Sequence, residues 1–160
     1  MVNRLRISLL FALAMFVASC SQRRPTVFSF QPAPVEGWEQ TDTLSFPIDT
    51  IHESGTYILS VALRTNTATP YPFRNLSILL TERLSSTPER CKALSLELDR
   101  EPDTFESNGI SLKQYIFTAD TLHLHSVPIS GKIQVSHQMK SRHLHGIRDI
   151  GIRLEKLNGN

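Results

Sequence analysis

The chain has 160 residues, with 17 lysines and arginines against 15 aspartates and glutamates, six histidines and two cysteines. That length holds one domain of ordinary size, and 40% hydrophobic with 20% charged residues suffices to bury a core, which excludes a disordered tail or a collagen-like repeat. A formal charge of +2 points toward nucleic acid or an acidic membrane surface only if the charges belong to the working domain.

The first residues, MVNRLRISLLFALAMFVASC, carry a basic stretch with Arg4 and Arg6, an apolar run from Leu9 to Ala18, and a small-residue end. That run is too short for a bilayer core, which needs about 20 apolar residues, so it reads as a signal peptide over residues 1–19. Its end, Val17-Ala18-Ser19-Cys20, resembles the lipobox of bacterial lipoproteins. That resemblance implies a diacylglyceryl thioether on Cys20 and a further acyl chain on its amine. Two or three chains anchor stably where one holds only marginally. The alternative is an ordinary signal that happens to contain a cysteine. With Cys20 used as a tether, Cys91 has no intramolecular partner and reads as a buried or idle thiol, since no catalytic signature surrounds it.

Residues 20–37 hold Pro25, Pro32 and Pro34 and few aliphatic side chains, which predicts a lipidated N-terminus followed by a Pro-rich linker. At about 3.1 Å per residue such a linker would lift a domain up to about 50 Å from the membrane. Arg23 and Arg24 would sit against lipid phosphates. The lack of an acidic run after Cys20 favours a periplasm-facing position on the outer membrane.

From Trp38 the apolar period is two. Leu44, Phe46 and Ile48 alternate with Thr43, Ser45 and Pro47, and Tyr57, Leu59, Val61 and Leu63 mark a strand with one fully buried face. Further strands are predicted at Leu76–Leu80, Leu94–Leu98, Tyr115–Thr118, Leu122–Leu124, Ile133–Val135 and Ile150–Leu154. Turn signals separate them at Glu53–Gly55, Thr69–Pro72, Arg100–Asp103, Asn108–Gly109, Pro128 and Ser130–Gly131. Short helices are predicted only at Thr87–Ala93, where Thr-Pro-Glu suits a helix start, and at His137–Leu144. Eight or nine short strands with almost no helix predict an all-β antiparallel sandwich of jelly-roll or Greek-key kind over residues 38–157.

Chemistry-bearing residues are few. His123 and His125 share one face of a strand, and His143 and His145 form a second such pair; together they would hold Zn²⁺ only if the segments met. Because Leu122 and Leu124 take the core side, the simpler reading puts the first pair on the solvated face, and no metal or cofactor is assigned. Asp99, Glu101, Asp103 and Glu106 share a Pro-containing loop without the spacing of a calcium loop. Nucleophile-elbow, zinc-protease and phosphate-loop motifs are absent from the sequence, so no catalytic residue is assigned and the chain reads as non-enzymatic. Asn75-Leu-Ser77 fits a glycosylation sequon and reads as incidental inside a strand.

Two segments go beyond solvation. A strand ending in Arg64 leads to Tyr71-Pro72-Phe73-Arg74-Asn75-Leu76, and the C-terminal part carries Met139-Lys140, Leu144-His145-Gly146-Ile147 and Asp149-Ile150-Gly151. With the lipobox and Trp38, this pattern resembles the gliding motility lipoprotein GldH family. Between Asp99 and Leu122 the family has a glycine- and tryptophan-bearing turn, where this chain offers only Ser107-Asn108-Gly109-Ile110. The resemblance implies a membrane-anchored, non-enzymatic component needed for gliding, although members also occur in bacteria that do not glide.

Arg64, Tyr71, Arg74, Asn75 and Asp149 then form a candidate interaction surface for an envelope protein. A structural reading stands beside it: Arg64 and Arg74 pair with Asp149, Asn75 bonds local backbone, and Gly151 marks a bulge. A second functional class is a glycan-binding sandwich with Trp38, Tyr71 and Phe73 as its platform. An enzyme is the third, and needs polar groups converging in one pocket. Removing Arg4 and Arg6 with the signal leaves 15 basic residues facing 15 acidic ones. The excess charge belongs to addressing, and the electrostatic argument for nucleic acid disappears.

Overall fold

Of the residues that the computed structural model describes, 26–85, 87–98, 105–106 and 112–157, most are strand because apolar side chains recur at every second position. In chain order these are β1 (Val27–Pro32), β2 (Trp38–Glu39), β3 (Leu44–Ile51), β4 (Gly55–Asn66), β5 (Asn75–Leu84), β6 (Arg90–Glu97), β7 (Phe105–Glu106), β8 (Leu112–Leu124), β9 (Ile129–His137), β10 (His143–Leu144) and β11 (Ile147–Lys156). All pairings among them are antiparallel. One sheet has the order β1-β11-β4-β8-β7, a second has β3-β9-β5-β6, and β10 and β2 form a short ribbon. The inner rows of both large sheets, with Tyr57, Leu59, Val61 and Leu63 from β4 facing Phe46, Leu76, Ile78, Leu80, Ile133 and Val135, form one buried cluster. Fully burying each of these side chains contributes about 1.5–3 kcal/mol.

Two bulges set which residues face outward. In β8, Tyr115 and Phe117 sit opposite Leu63 and Val61, whereas Leu122 and Leu124 sit opposite Tyr57 and Gly55; the register slips at Ala119. One inserted residue thus keeps both odd and even apolar positions on the inner face. For this reason the two short strands predicted at 115–118 and 122–124 are one. In β11 the slip lies between Ile147 and Asp149, so Ile147 and Ile150 both enter the core while Asp149 turns outward, opposite Arg64. The bulge falls there and not at Gly151, which pairs in register with Ala62.

Three expectations are corrected. Residues 20–37 do not form a linker throughout: Val27–Pro32 is β1, paired residue for residue with β11, and Thr26 donates its amide to the Leu154 carbonyl at 2.8 Å. The prolines are tolerated because Pro32 ends an edge strand. Arg90–Glu97 is strand, not helix, since ladder bonds to β5 outweigh the local Thr-Pro-Glu start signal. His137 closes β9, and the following segment up to β10 is held by bonds to its neighbours, with the Gln138 amide on the Ser77 carbonyl at 2.8 Å and the Gln40 amide on the Arg142 carbonyl at 2.9 Å, rather than by helical ones.

Strand β6 is an edge, and it turns two cations inward. Lys92 donates to the carbonyl of bulged Ala119 at 2.8 Å and to Asp120 at 3.2 Å, while Arg90 reaches Asp120 at 2.8 Å and Glu82 at 3.7 Å. Such inward charges make the edge a poor template for other strands. Burial pushes the Glu82 carboxyl above its ordinary value, against the pull of Arg90. Burial also acts on Asp120, but the Thr121 amide, Lys92 and Arg90 outweigh it and leave its carboxyl below the usual range. A raised carboxyl binds its proton more tightly in the folded state, so this term stabilises the fold fully below the unfolded value of about 4.3 and is lost as pH rises through the folded value. The melting temperature of Glu82→Gln relative to the parent should therefore increase as pH rises from about 4.3 through the folded value of Glu82. Parallel acid-side slopes in thermal melts of the two proteins would refute the assignment.

Candidate functional site

At the end of β4 near Asn66, opposite the end where Thr26 leads in, the family-like residues meet in two adjoining groups. In the first, Arg64 projects from the outer face of its sheet. Its guanidinium carbon lies 3.6 Å from the centre of the Phe30 ring, its Nε donates to Gln114 Oε1 at 2.8 Å, and its Nη1 stands 3.9 Å from Asp149 Oδ2. The partners come from β1, β8 and β11 because Pro32, Asp149, Arg64 and Gln114 are successive in the ladder. Stacking of a partly desolvated guanidinium on an aromatic face is worth about 1 kcal/mol, and the planar fork bonds Gln114 at the same time. Phe28 and Phe30 touch at 5.0 Å between ring centres, and Arg153 lies 5.8 Å from the Phe28 ring.

Gly151 makes this arrangement possible. A Cβ there would come within 2.6 Å of Phe30 Cδ1, so the ring occupies the space that any side chain would take. Leu144-His-Gly146-Ile147 serves the second group. Gly146, at a φ of +85°, lies so close to the Pro70–Tyr71 backbone that a Cβ would meet Tyr71 N at 2.5 Å, and its carbonyl accepts the Asn66 amide at 3.0 Å. Tyr71 in turn donates its hydroxyl to the Asn75 carbonyl at 3.1 Å and meets Phe73 edge-on at 5.4 Å. Burial pushes the Tyr71 phenol up to about 12, so it remains a donor across the physiological range.

Around this turn lies a cleft of about 280 Å³ lined by Tyr71, Phe73, Tyr115, Arg74 and Lys113. Arg74 does not reach Asp149, whose cationic neighbours are Arg64 and Arg148. The Arg74 backbone carbonyl instead accepts the Leu98 amide at 2.7 Å. Asn75 extends its amide toward Ser95 Oγ at 3.4 Å rather than to local backbone. Arg64, Tyr71, Arg74, Asn75 and Asp149 thus share one end of the sandwich, and of the two arginines only Arg64 pairs with the aspartate. Sequence reasoning missed Phe30 and Gln114. The alternation of Val27, Phe28, Ser29 and Phe30 was the available signal for Phe30, and Gln114 had none.

Trp38 is fully buried, donates its indole N–H to the Asp42 carbonyl at 3.2 Å and packs edge-on against His137 at 5.2 Å. It has no free face for a sugar. The His137 Nε2–H donates to the Trp38 carbonyl at 3.1 Å while Nδ1 accepts the Met139 amide at 3.3 Å, which requires the neutral ring. Burial, the larger influence, holds its pKa below the ordinary value against the bond to Trp38. Met139 is the second post of this junction, its sulfur accepting the Ser77 amide at 3.3 Å.

The two histidine pairs are at opposite ends of the sandwich: His123 and His125 stack at 6.2 Å beside the Gly55 end, whereas His143 lies by Glu39 and His145 by Gly37. Four imidazoles of one chain therefore cannot share an ion. No group of three or more metal-ligating side chains occurs among the described residues. Cys91 is exposed on β6, 3.6 Å from the Thr81 hydroxyl. Cys20 and the acidic residues Asp99, Glu101 and Asp103 lie outside the described residues, as does the side chain of Glu106.

Gly151→Ala should cost about 1–3 kcal/mol by displacing the Phe30 ring. If the clash is with that ring, Gly151→Ala in a Phe30→Ala background should cost much less, and a double-mutant cycle by denaturant unfolding reads the difference. Additive costs would mean that the ring is not what the glycine accommodates.

Searches of curated proteins and of solved structures return no match to the chain. Residues 26–154 match the family described as GldH lipoprotein, a span that begins at the residue before β1 and ends within β11. The strands, the Arg64 ladder and the Gly146–Tyr71 junction all fall inside that span, and the chain belongs to the GldH lipoprotein family.

Proposed function

We propose that this protein is a non-enzymatic envelope component, held on the periplasmic side of the outer membrane by acyl chains on Cys20, that docks an envelope protein in support of gliding motility. The observation that carries the reading is the gathering of the family-like residues at the end of the sandwich opposite the one where the chain arrives from Cys20. Tethering then places the docking end away from the lipid. Much of this gathering is architectural: Gly146, Gly151, Asp149 and Arg64 fix backbone and rings. What remains for a partner is Phe73, 41% exposed, the exposed Arg74 and the cleft between them and Tyr115. An aromatic beside an arginine is the usual chemistry of an interface hot spot.

Deletion in the native host should impair surface spreading or secretion. A copy carrying Phe73→Ala and Arg74→Glu should fail to restore it while reaching the same level in the membrane fraction, since both side chains are exposed. Full complementation by that copy would refute docking through this end, and normal spreading and secretion in the deletion strain would refute the motility role. Cys20→Ala should yield a folded domain that leaves the membrane fraction, with an unchanged melting curve.

A glycan-binding reading retains Tyr71, Phe73 and Tyr115, which with Arg74 and Lys113 would suit an acidic sugar. It loses the buried Trp38. A flat glycan array would remove it.

A further inference from the structure

The register of β1 fixes how far the domain stands from its anchor. Thr26 is bonded to Leu154, and only six Cα-to-Cα steps separate it from Cys20. Even fully extended, six residues span at most about 20 Å. The sandwich does not begin at Thr26, however. Val27 pairs with Leu154 and through it lies level with Leu59, so Thr26 lies level with Ile58, and β4 continues for three more residues toward its Gly55 end, about 10 Å further down at 3.3 Å per residue. The loops at His52–Ser54 and His125–Pro128 lie at this same end, since Gly55 pairs with Leu124. A tether of about 20 Å that must first run past about 10 Å of protein leaves about 10 Å, little more than the roughly 5–7 Å of one headgroup layer, before the loops beyond Gly55 take up more of it.

We infer that the Gly55 end of the sandwich rests on the phospholipid interface of the anchoring membrane and holds the opposite end at a fixed height. This rests on the acylation of Cys20 proposed above. The side chains there suit a lipid surface. Val127 is 36% and Leu157 41% exposed, two of the few large apolar side chains left in solvent, and His52, His123, His125 and Ser126 surround them with polar groups. The ion pair at this end, Lys156 with Glu53 at 2.8 Å, is internally neutral and sets no net charge against anionic lipid. If the domain tips toward the edge strand β1, the next apolar side chain to meet the lipid is Phe28, 41% exposed, beside Arg153. With β4 upright, its twelve residues carry Asn66 about 36 Å above Gly55. That height is set by the strand and not by a flexible linker, so the Tyr71–Phe73–Arg74 surface meets a partner at one level.

The test uses the full lipidated chain in vesicles of phosphatidylcholine and phosphatidylglycerol containing a lipid with a nitroxide on its headgroup. In a Cys91→Ser background, Val127→Cys, Leu157→Cys and Phe73→Cys each receive a fluorescent label, and flotation is measured on the same samples. Quenching at 127 and 157 should exceed that at 73 several-fold, and inserting twelve Gly/Ser residues between Pro25 and Thr26 should reduce it while flotation persists. Flotation with equally weak quenching at all three positions would overturn the inference and leave the anchor intact; this is also the outcome if the Gly55 end docks a protein instead. A chain that does not float would overturn both.

Discussion

A hydrogen atom at the α-carbon of Gly151, where any other residue would carry a side chain, is the constraint on which the candidate site depends. The outer face of the sheet is filled in this region by the smallest residues available, with Ala62 opposite Gly151 and Ser60 opposite Arg153. The Phe30 ring occupies the space over that shallow floor, and the Arg64 guanidinium lies on the ring. Arg64 can then bond Gln114 and approach Asp149 without leaving the sheet surface. β1 therefore gains a second attachment beyond its ladder to β11. Its inner row, Val27, Ser29 and Gln31, offers little apolar area, and Gln31 instead donates to the Ser45 carbonyl of β3. The outer aromatic row supplies what the inner row lacks.

The same economy explains why Asp149 and Gly151 belong together. The bulge at Arg148 is required to put Ile147 and Ile150 on the same face, and its by-product is to turn residue 149 outward in line with Arg64. A carboxylate at that point is useful only because an arginine stands opposite. An apolar residue would be solvent-facing beside a cation, and without the bulge the acid would enter the core, where an unpaired charge is costly. Gly146 adds the link to the other sheet, since its close approach to Tyr71 carries the Pro70–Asn75 turn over the end of β4. Architecture and candidate surface are thus one arrangement, and only the side chains beyond it, Phe73 and Arg74 above all, are free to serve a partner.

How legible this was depended on where the apolar side chains point. β4, β5 and the later part of β11 were read from sequence because their buried residues alternate strictly against a polar or small row. β8 looks like two strands in sequence because the bulge at Ala119 changes the parity of its buried positions halfway along. β1 resembles a linker in sequence because its aromatic row faces outward, its inner row is mostly polar and prolines flank it; nothing in a one-strand window reveals that a glycine in the last strand receives Phe30. The Ser130–Gly131 turn signal lies inside β9 for a related reason, the close passage of the Arg83 backbone. Arg64 and Asp149 were picked out as a pair, whereas Gln114, buried on the outer face, carries no mark in the sequence and owes its place to the ladder alone.

The order of the strands also constrains when the site can exist. Among the described residues β1 is the first strand and pairs with β11, the last, and β11 in turn joins it to β4. Closing that loop of well over a hundred residues brings no local reward until the final strand is in place, so the sheet that bears Arg64 and Phe30 assembles late and as a whole. The opposite sheet contains the β5–β6 hairpin and can begin earlier, which makes its open edge the exposed one in the meantime. There the inward-facing Arg90 and Lys92 await Asp120 and the Ala119 carbonyl. Until β8 arrives to satisfy them, their charges discourage pairing with any other strand.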